Sequence, residues 1–250
     1  MSDGPGAPGT TGAPGTTGAP GPTGDLGRSH PLQGGQASKI PGPGGPPLLV
    51  VTAVAAERDA IAAGWPGPVE IVGVGIAAAA AGTARLLATG RYRAVLCAGI
   101  GGGFAGRIDV GGTALATESV AADLGADSPD GFLALSALGF GPTVHATDAG
   151  LRTALSATLP DATAGPILTV HTVTGTAEGT AAVTARHPTA LAEGMEGFGV
   201  ATAAVAAGVA FAEVRTISNL VGPRDRAGWR IPQALAALTD LGRALGKLGW

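Results

Sequence analysis

Cysteine occurs once in the 250 residues, as Cys97. One thiol cannot close an intrachain disulfide, so a disulfide-stapled fold is excluded and a reducing compartment is implied. Aromatic residues make up only 4% of the chain and charged residues 13%, so a core has to be built from Ala, Val, Leu and Ile. The formal net charge is −3, with no basic stripe to meet a nucleic-acid backbone. No run reaches the ~18 uncharged apolar residues of a membrane span. The first residues lack the basic start and apolar segment of a secretory signal. Cytoplasmic residence, with no membrane and no nucleic-acid partner, is therefore expected. The four histidines, His30, His145, His171 and His187, are scattered without ligand spacing, so neither metal nor cofactor is expected.

What is present divides into two parts. Residues 1–46 are mostly Gly, Pro, Thr, Ser and Gln, with almost no large apolar side chains and with glycine at every third position from Gly6 to Gly27. That is the collagen period. The triplets are few, and Thr stands where imino acids would be needed, so the segment reads as a disordered leader. Residues 47–250 hold nearly all of the Leu, Val and Ile and fit one domain. In that part, Cys97 lies inside an apolar run and reads as a buried thiol.

The second part alternates between strand and helix periods. Residues 48–52 form an apolar run that reads as a strand buried on both faces. A helix starts near Glu57 and ends by Gly64. Further strands are expected at 69–74, 94–98, 113–117, 167–173 and 209–217. Helices are expected at 76–89, 148–159, 192–207 and 231–248, with Leu235, Leu238, Leu241 and Leu245 on one face of the last. Residues 123–138 read as an irregular excursion. The expected architecture is α/β: one domain with a central twisted mixed β-sheet flanked by helices.

Four segments carry candidate chemistry. Glycines 99, 101, 102 and 103 follow a buried strand and read either as a tight turn or as a phosphate cradle; neither GxGxxG nor a following Lys-Ser/Thr pair is present. Glu57 lies at the first strand-to-helix junction, either complementing the helix dipole or facing the rim of the sheet where ligands bind. Met195-Glu196 lies between glycines at a helix start, and Ser218-Asn219 lies at the end of an apolar strand. A carboxylate, a hydroxyl and an amide near one rim suit a ligand with hydroxyls and a heterocyclic base.

Residues 47–250 resemble the nucleoside phosphorylase and nucleosidase superfamily, in particular the methylthioadenosine/S-adenosylhomocysteine nucleosidases. The resemblance runs through residues 52–57, Gly73-Val74-Gly75-Ile76, residues 98–104, Asp109-Val110-Gly111, residues 172–176, Met195-Glu196 and residues 215–219. The trailing Val221-Gly222-Pro223-Arg224-Asp225-Arg226 and Trp229 look specific to the branch that hydrolyses futalosine. The resemblance implies a hydrolytic nucleosidase and a homo-oligomer, with Glu57 as the water-activating acid. It also implies Met195 under the ribose, Glu196 on the ribose hydroxyls, and Gly99, Ile100 and Thr174 in the substrate site.

Asn219 replaces the aspartate of the adenosine-type enzymes, and Ser218 would orient it. A neutral amide favours hypoxanthine over adenine as leaving base. Ala98 and Ile100 stand where phosphorylases of this family carry Arg and Ser, so phosphate finds no donor and water is the expected nucleophile. Arg224, Arg226 and Arg230 are candidates for a carboxylate on the 5′ substituent, or else a solvated surface cluster. His171 is read either as lining the site or as a core histidine. The rival expectations are a methylthioadenosine/S-adenosylhomocysteine nucleosidase, a non-catalytic nucleoside-binding module, and an interaction protein built on the collagen-like leader.

Overall fold

The first strand, β1 (Leu48–Thr52), is buried at every position. Its side chains alternate between two apolar layers, as strand geometry requires. Leu48 and Val50 join Ile61, Leu151, Leu155, Leu238, Leu241 and Leu245, whereas Leu49 and Val51 join Ala79, Val200, Ala201 and Ala204. A computed structural model describes residues 45–248 of the chain. The reading of the leader lies outside the described residues apart from Gly45 and Pro46.

After β1 come α1 (Ala55–Ala62), β2 (Val69–Ile71), α2 (Ile76–Thr89), β3 (Ala94–Gly103) and β4 (Thr113–Ala121). The middle of the chain holds β5 (Gly125–Ser128), β6 (Gly131–Ala134), β7 (Val144–Ala146), α3 (Ala149–Thr158), β8 (Thr163–Thr169) and α4 (Ala177–Arg186). The last elements are β9 (Ala192–Gly194), α5 (Gly197–Ala206), β10 (Ala210–Leu220) and α6 (Ile231–Gly246). Helices α1, α3 and α6 supply one apolar layer, and α2 and α5 supply the other. The sheet between them is mixed: β2, β1, β3 and β10 are parallel neighbours, and β10 meets β4 antiparallel. Beyond β4 run β8 and β9, parallel to one another, and β9 returns antiparallel to β3. Strands β3, β10, β4, β8 and β9 therefore close into a ring. This is the expected α/β architecture of a central mixed sheet flanked by helices.

Several local expectations change. Residues 99–103 are neither a turn nor a loop: they continue β3 through its glycines. None of these glycines has positive φ, so their use is close approach. A Cβ at Gly101 would lie 2.8 Å from the Glu193 backbone oxygen, where β9 crosses. The expected helix 192–207 begins as β9, and only Gly197–Ala206 is helical, with Gly208 at φ 67° closing it. The expected strand 167–173 lies earlier, at Thr163–Thr169. The excursion 123–138 contains the hairpin β5–β6. Helix α4, capped by the Thr176 hydroxyl accepting from the Gly179 N–H, has no counterpart in the sequence reading.

Candidate active site

The first strand-to-helix junction determines where Glu57 points. Glu57 is the third residue of α1, and its Oε2 accepts from the backbone N–H groups of Ala53 (3.0 Å) and Val54 (3.3 Å). It thus reaches back to the start of its own helix, as a capping-box acid does. Its Oε1 crosses to β3 and accepts from the Ile100 N–H at 2.9 Å. Burial pushes the Glu57 carboxyl above the ordinary glutamate range; the Arg215 guanidinium and the Ile100 and Ala53 N–H groups pull it back, and Glu196 adds a smaller push upward.

Glu196 stands at the N-cap of α5. Its Oε1 accepts from the Gly75 N–H at 3.2 Å, and its Oε2 accepts from the Met195 N–H at 3.2 Å and from Arg215 Nη1 at 3.0 Å. Arg215, on β10, also donates from Nε to Glu213 Oε1 at 2.9 Å. Burial raises the Glu213 carboxyl, and the neighbouring Arg215 opposes that shift. Cys97, buried as its apolar run implies, receives Arg215 Nη2 at 3.4 Å, and burial pushes its thiol well up.

Ser218 and Asn219 end β10. The Ser218 hydroxyl lies 2.8 Å from Asn219 Oδ1 and 3.2 Å from the Gly101 carbonyl. Asn219 Nδ2 donates to the Leu220 carbonyl at 2.9 Å. With Oδ1 facing a hydroxyl donor, the amide keeps one N–H free.

One cavity of about 290 Å³ collects these groups. Glu57, Ile100, Thr174, Met195, Glu196, Ser218 and Asn219 all line it. Gly99 does not; it lies behind the wall, where a Cβ would come 2.7 Å from Glu57 Oε1 and 3.0 Å from Arg215 Nη1. Its role is to give the acid and the guanidinium room. Glu193, Val74, Val173, Arg224 and Trp229 are also in the lining, and of these only Arg224 is a candidate from the sequence. Arg215 is legible only as a charge inside an apolar strand, which is unusual for an unpaired residue of its type, and Glu193 falls within the expected helix 192–207.

The other candidates diverge. His171 neither lines the cavity nor lies in the core: it is exposed and pairs with Asp123 at 2.9 Å, because β8 ends at Thr169. Arg224, Arg226 and Arg230 are all exposed. Arg224 reaches the cavity mouth, and it and Arg226 lie against Trp229 at 5.6 and 5.7 Å from its ring. Arg230 Nη1 donates to the Ala227 and Trp229 carbonyls. No group of three or more metal-ligating side chains occurs among the described residues. No described helix is long and apolar enough to cross a membrane.

The fold and this clustering of acids and an amide place the chain in a known class. A family model described as the Phosphorylase superfamily matches residues 50–247, and the chain belongs to that family. Within it, the chain is 51% identical over 226 residues to futalosine hydrolase of Streptomyces coelicolor, covering 80% of this chain and 94% of that one. It is 44% identical over 219 residues to futalosine hydrolase of Acidothermus cellulolyticus, covering 79% of this chain and 89% of the relative. Among solved structures, a 5′-methylthioadenosine/S-adenosylhomocysteine nucleosidase from Colwellia psychrerythraea in complex with adenine has the same fold. It superposes with TM-score 0.70 at 20% identity, over 83% of this chain and 97% of that one. A futalosine hydrolase mutant of Helicobacter pylori superposes with TM-score 0.71 at 14% identity, over 81% and 99%.

Proposed function

We propose that this chain is a futalosine hydrolase, cleaving the N-glycosidic bond of futalosine to hypoxanthine and dehypoxanthinyl futalosine in menaquinone biosynthesis. The observation that carries the reading is the convergence of Glu57, Glu196 and the neutral amide of Asn219 on one cavity, in a chain 51% identical to a futalosine hydrolase.

In this reading the ribose lies on Met195, and Glu196 accepts from its hydroxyls. Arg215 holds Glu196 in position. As the bond from the sugar to the base nitrogen lengthens, positive charge develops on the ring and negative charge on the base. The free N–H of Asn219 stabilises the charge on the base. A water bound by Glu57 attacks the sugar carbon, its proton passes to the carboxylate, and the bonding electron pair leaves with the purine, which takes a proton from solvent. Phosphate is disfavoured as nucleophile. The Ile100 side chain offers no donor, and the Ile100 N–H is already given to Glu57. The exposed Arg224, beside Trp229, serves the carboxylate of the 5′ substituent. The enzyme works in the cytoplasm as a homo-oligomer, a state that sedimentation measurements read directly.

The test is release of base from futalosine and from methylthioadenosine by the purified protein. Faster hypoxanthine release supports the reading. Faster adenine release selects a methylthioadenosine/S-adenosylhomocysteine nucleosidase instead, and release of neither base points to a non-catalytic nucleoside-binding module.

A further inference from the structure

Glu213 takes no part in the chemistry above, yet its side chain is wholly buried. It stands two residues before Arg215 on β10, so the two side chains share a face of the sheet. A buried ion pair adds little stability that apolar residues of equal size would not also give. The fold nevertheless makes room for this one. A Cβ at Gly194 of β9 would stand 2.9 Å from Arg215 Cζ, and a Cβ at Gly197, the first residue of α5, would overlap the Glu213 carboxylate. That carboxylate lies against the start of α5, where the helix dipole favours an anion. Burial raises its pKa, and Arg215 and the Ser119 hydroxyl favour the ionised form.

Glu213 holds one end of a guanidinium whose other end faces two carboxylates. Arg215 Nε donates to Glu213 Oε1, Nη2 to Cys97 Sγ at 3.4 Å and Nη1 to Glu196 Oε2 at 3.0 Å. Glu57 is the next anion. Its Oε1 and Arg215 Nη1 stand 2.7 and 3.0 Å from one point, the Cβ that Gly99 lacks. Yet among the described residues Arg215 pairs with Glu196 and Glu213 and not with Glu57. Burial raises the Glu57 carboxyl, and Arg215 is the strongest influence against that shift. A short swing of the guanidinium would tie up the base. The charged groups that bear on Glu57 are Arg215 from β10 and Glu196 from the start of α5, and the Cys97 thiol of β3 faces the same cluster.

We propose that Glu213 is a positioning residue for the hydrolysis: it holds Arg215 from behind, keeping the guanidinium on Glu196 and off Glu57, so that the Glu57 carboxylate stays free to take the proton of the attacking water. This rests on the reading of Glu57 as the general base of a nucleosidase. A guanidinium paired with Glu57 would favour its ionised form and weaken it as a base.

The test follows futalosine hydrolysis across pH in wild type, Glu213→Gln and Glu213→Asp. Glutamine keeps an acceptor for Nε but no charge, and leaves the guanidinium to Glu57. The acid limb of kcat is expected to move about half a pH unit or more downward, and the plateau to fall about tenfold or more. Aspartate keeps the charge on a shorter arm and draws the guanidinium back from Glu196. Its limb is expected at or above the wild-type pH, with KM raised about threefold or more as Glu196 loses its anchor. A limb that stays or rises in Glu213→Gln overturns the proposal, whatever the loss of activity, because a residue that only stabilises the fold leaves the base's titration alone. A limb that falls, or a wild-type KM, in Glu213→Asp overturns it too, so either variant decides if the other fails to fold. Wild type that does not hydrolyse futalosine, or whose acid limb persists in Glu57→Gln, overturns the functional reading and the proposal together.

Discussion

Arg215 and Glu196 form an ion pair at 3.0 Å with their side chains 2% and 6% exposed. The same guanidinium holds Glu213 at 2.9 Å. Removing one partner of a buried pair leaves an uncompensated charge, a loss of about 3–5 kcal/mol. Arg215→Met strands two carboxylates at once, so a destabilisation at least that large is expected. For a domain of this size it lowers Tm by roughly 10 °C or more. Thermal denaturation checks this, and activity should fall with stability because Glu196 loses its anchor.

Glu57→Gln separates chemistry from folding. The amide oxygen still accepts from one side of the junction, so the variant is expected to fold with a modestly lower Tm. Losing a positioned general base typically lowers the rate about 10²–10⁴-fold. Kinetics together with ligand-binding titration should show kcat collapsing while affinity for the nucleoside survives.

The pH profile follows from the same carboxyl. Its pKa is raised, chiefly by burial, and only the ionised form can take a proton from water. Activity should therefore fall on the acid side at a pH above the ordinary glutamate range, and Glu57→Gln should lose that limb. The sign for stability is opposite: between the unfolded and the raised folded pKa the native state binds more protons, so this group's contribution to stability declines as pH rises through that window. Rate measurements and denaturation scans across pH read the two effects separately.

Gly99 and Gly101 should respond differently to a single methyl group. At Gly99 it meets the Glu57 carboxylate at 2.7 Å, whereas at Gly101 it meets the Glu193 backbone oxygen at 2.8 Å. A side chain can move aside, but a paired strand cannot do so easily. Gly99→Ala is therefore expected to lower kcat more than tenfold with a small change in Tm. Gly101→Ala is expected to lower Tm first, by several degrees. Paired activity and melting measurements distinguish the two patterns.

A chain beginning at Pro47 should keep full activity. Strand β1 starts at Leu48 and lies in mid-sheet, paired to both β2 and β3, and the Pro47 carbonyl accepts from the Arg93 N–H. Comparing kcat/KM of the truncated and full chains checks this. Loss of function on truncation would favour the interaction protein built on the leader.

Much of the sheet was legible because its strands are unbroken apolar runs between helices rich in alanine and leucine. Glu57, Ser218 and Asn219 were legible because each stands at the end of such a run, and Met195-Glu196 because glycines flank it at a helix start. The glycines of β3 misled because glycine ordinarily punctuates; here it lets β9, Glu57 and Asn219 crowd one strand, which depends on tertiary neighbours. Strand β9 and helix α4 were hidden for similar reasons: a three-residue strand has no period to detect, and α4 buries only Val183. Glu193 could not be placed until the ring of strands brought β9 against β3.

The most direct test is product analysis of futalosine incubated with the purified protein, with and without inorganic phosphate. The expected outcome is hypoxanthine and the free sugar in equal amounts, at a rate indifferent to phosphate. A sugar 1-phosphate that forms only when phosphate is present would contradict water as the nucleophile at Glu57.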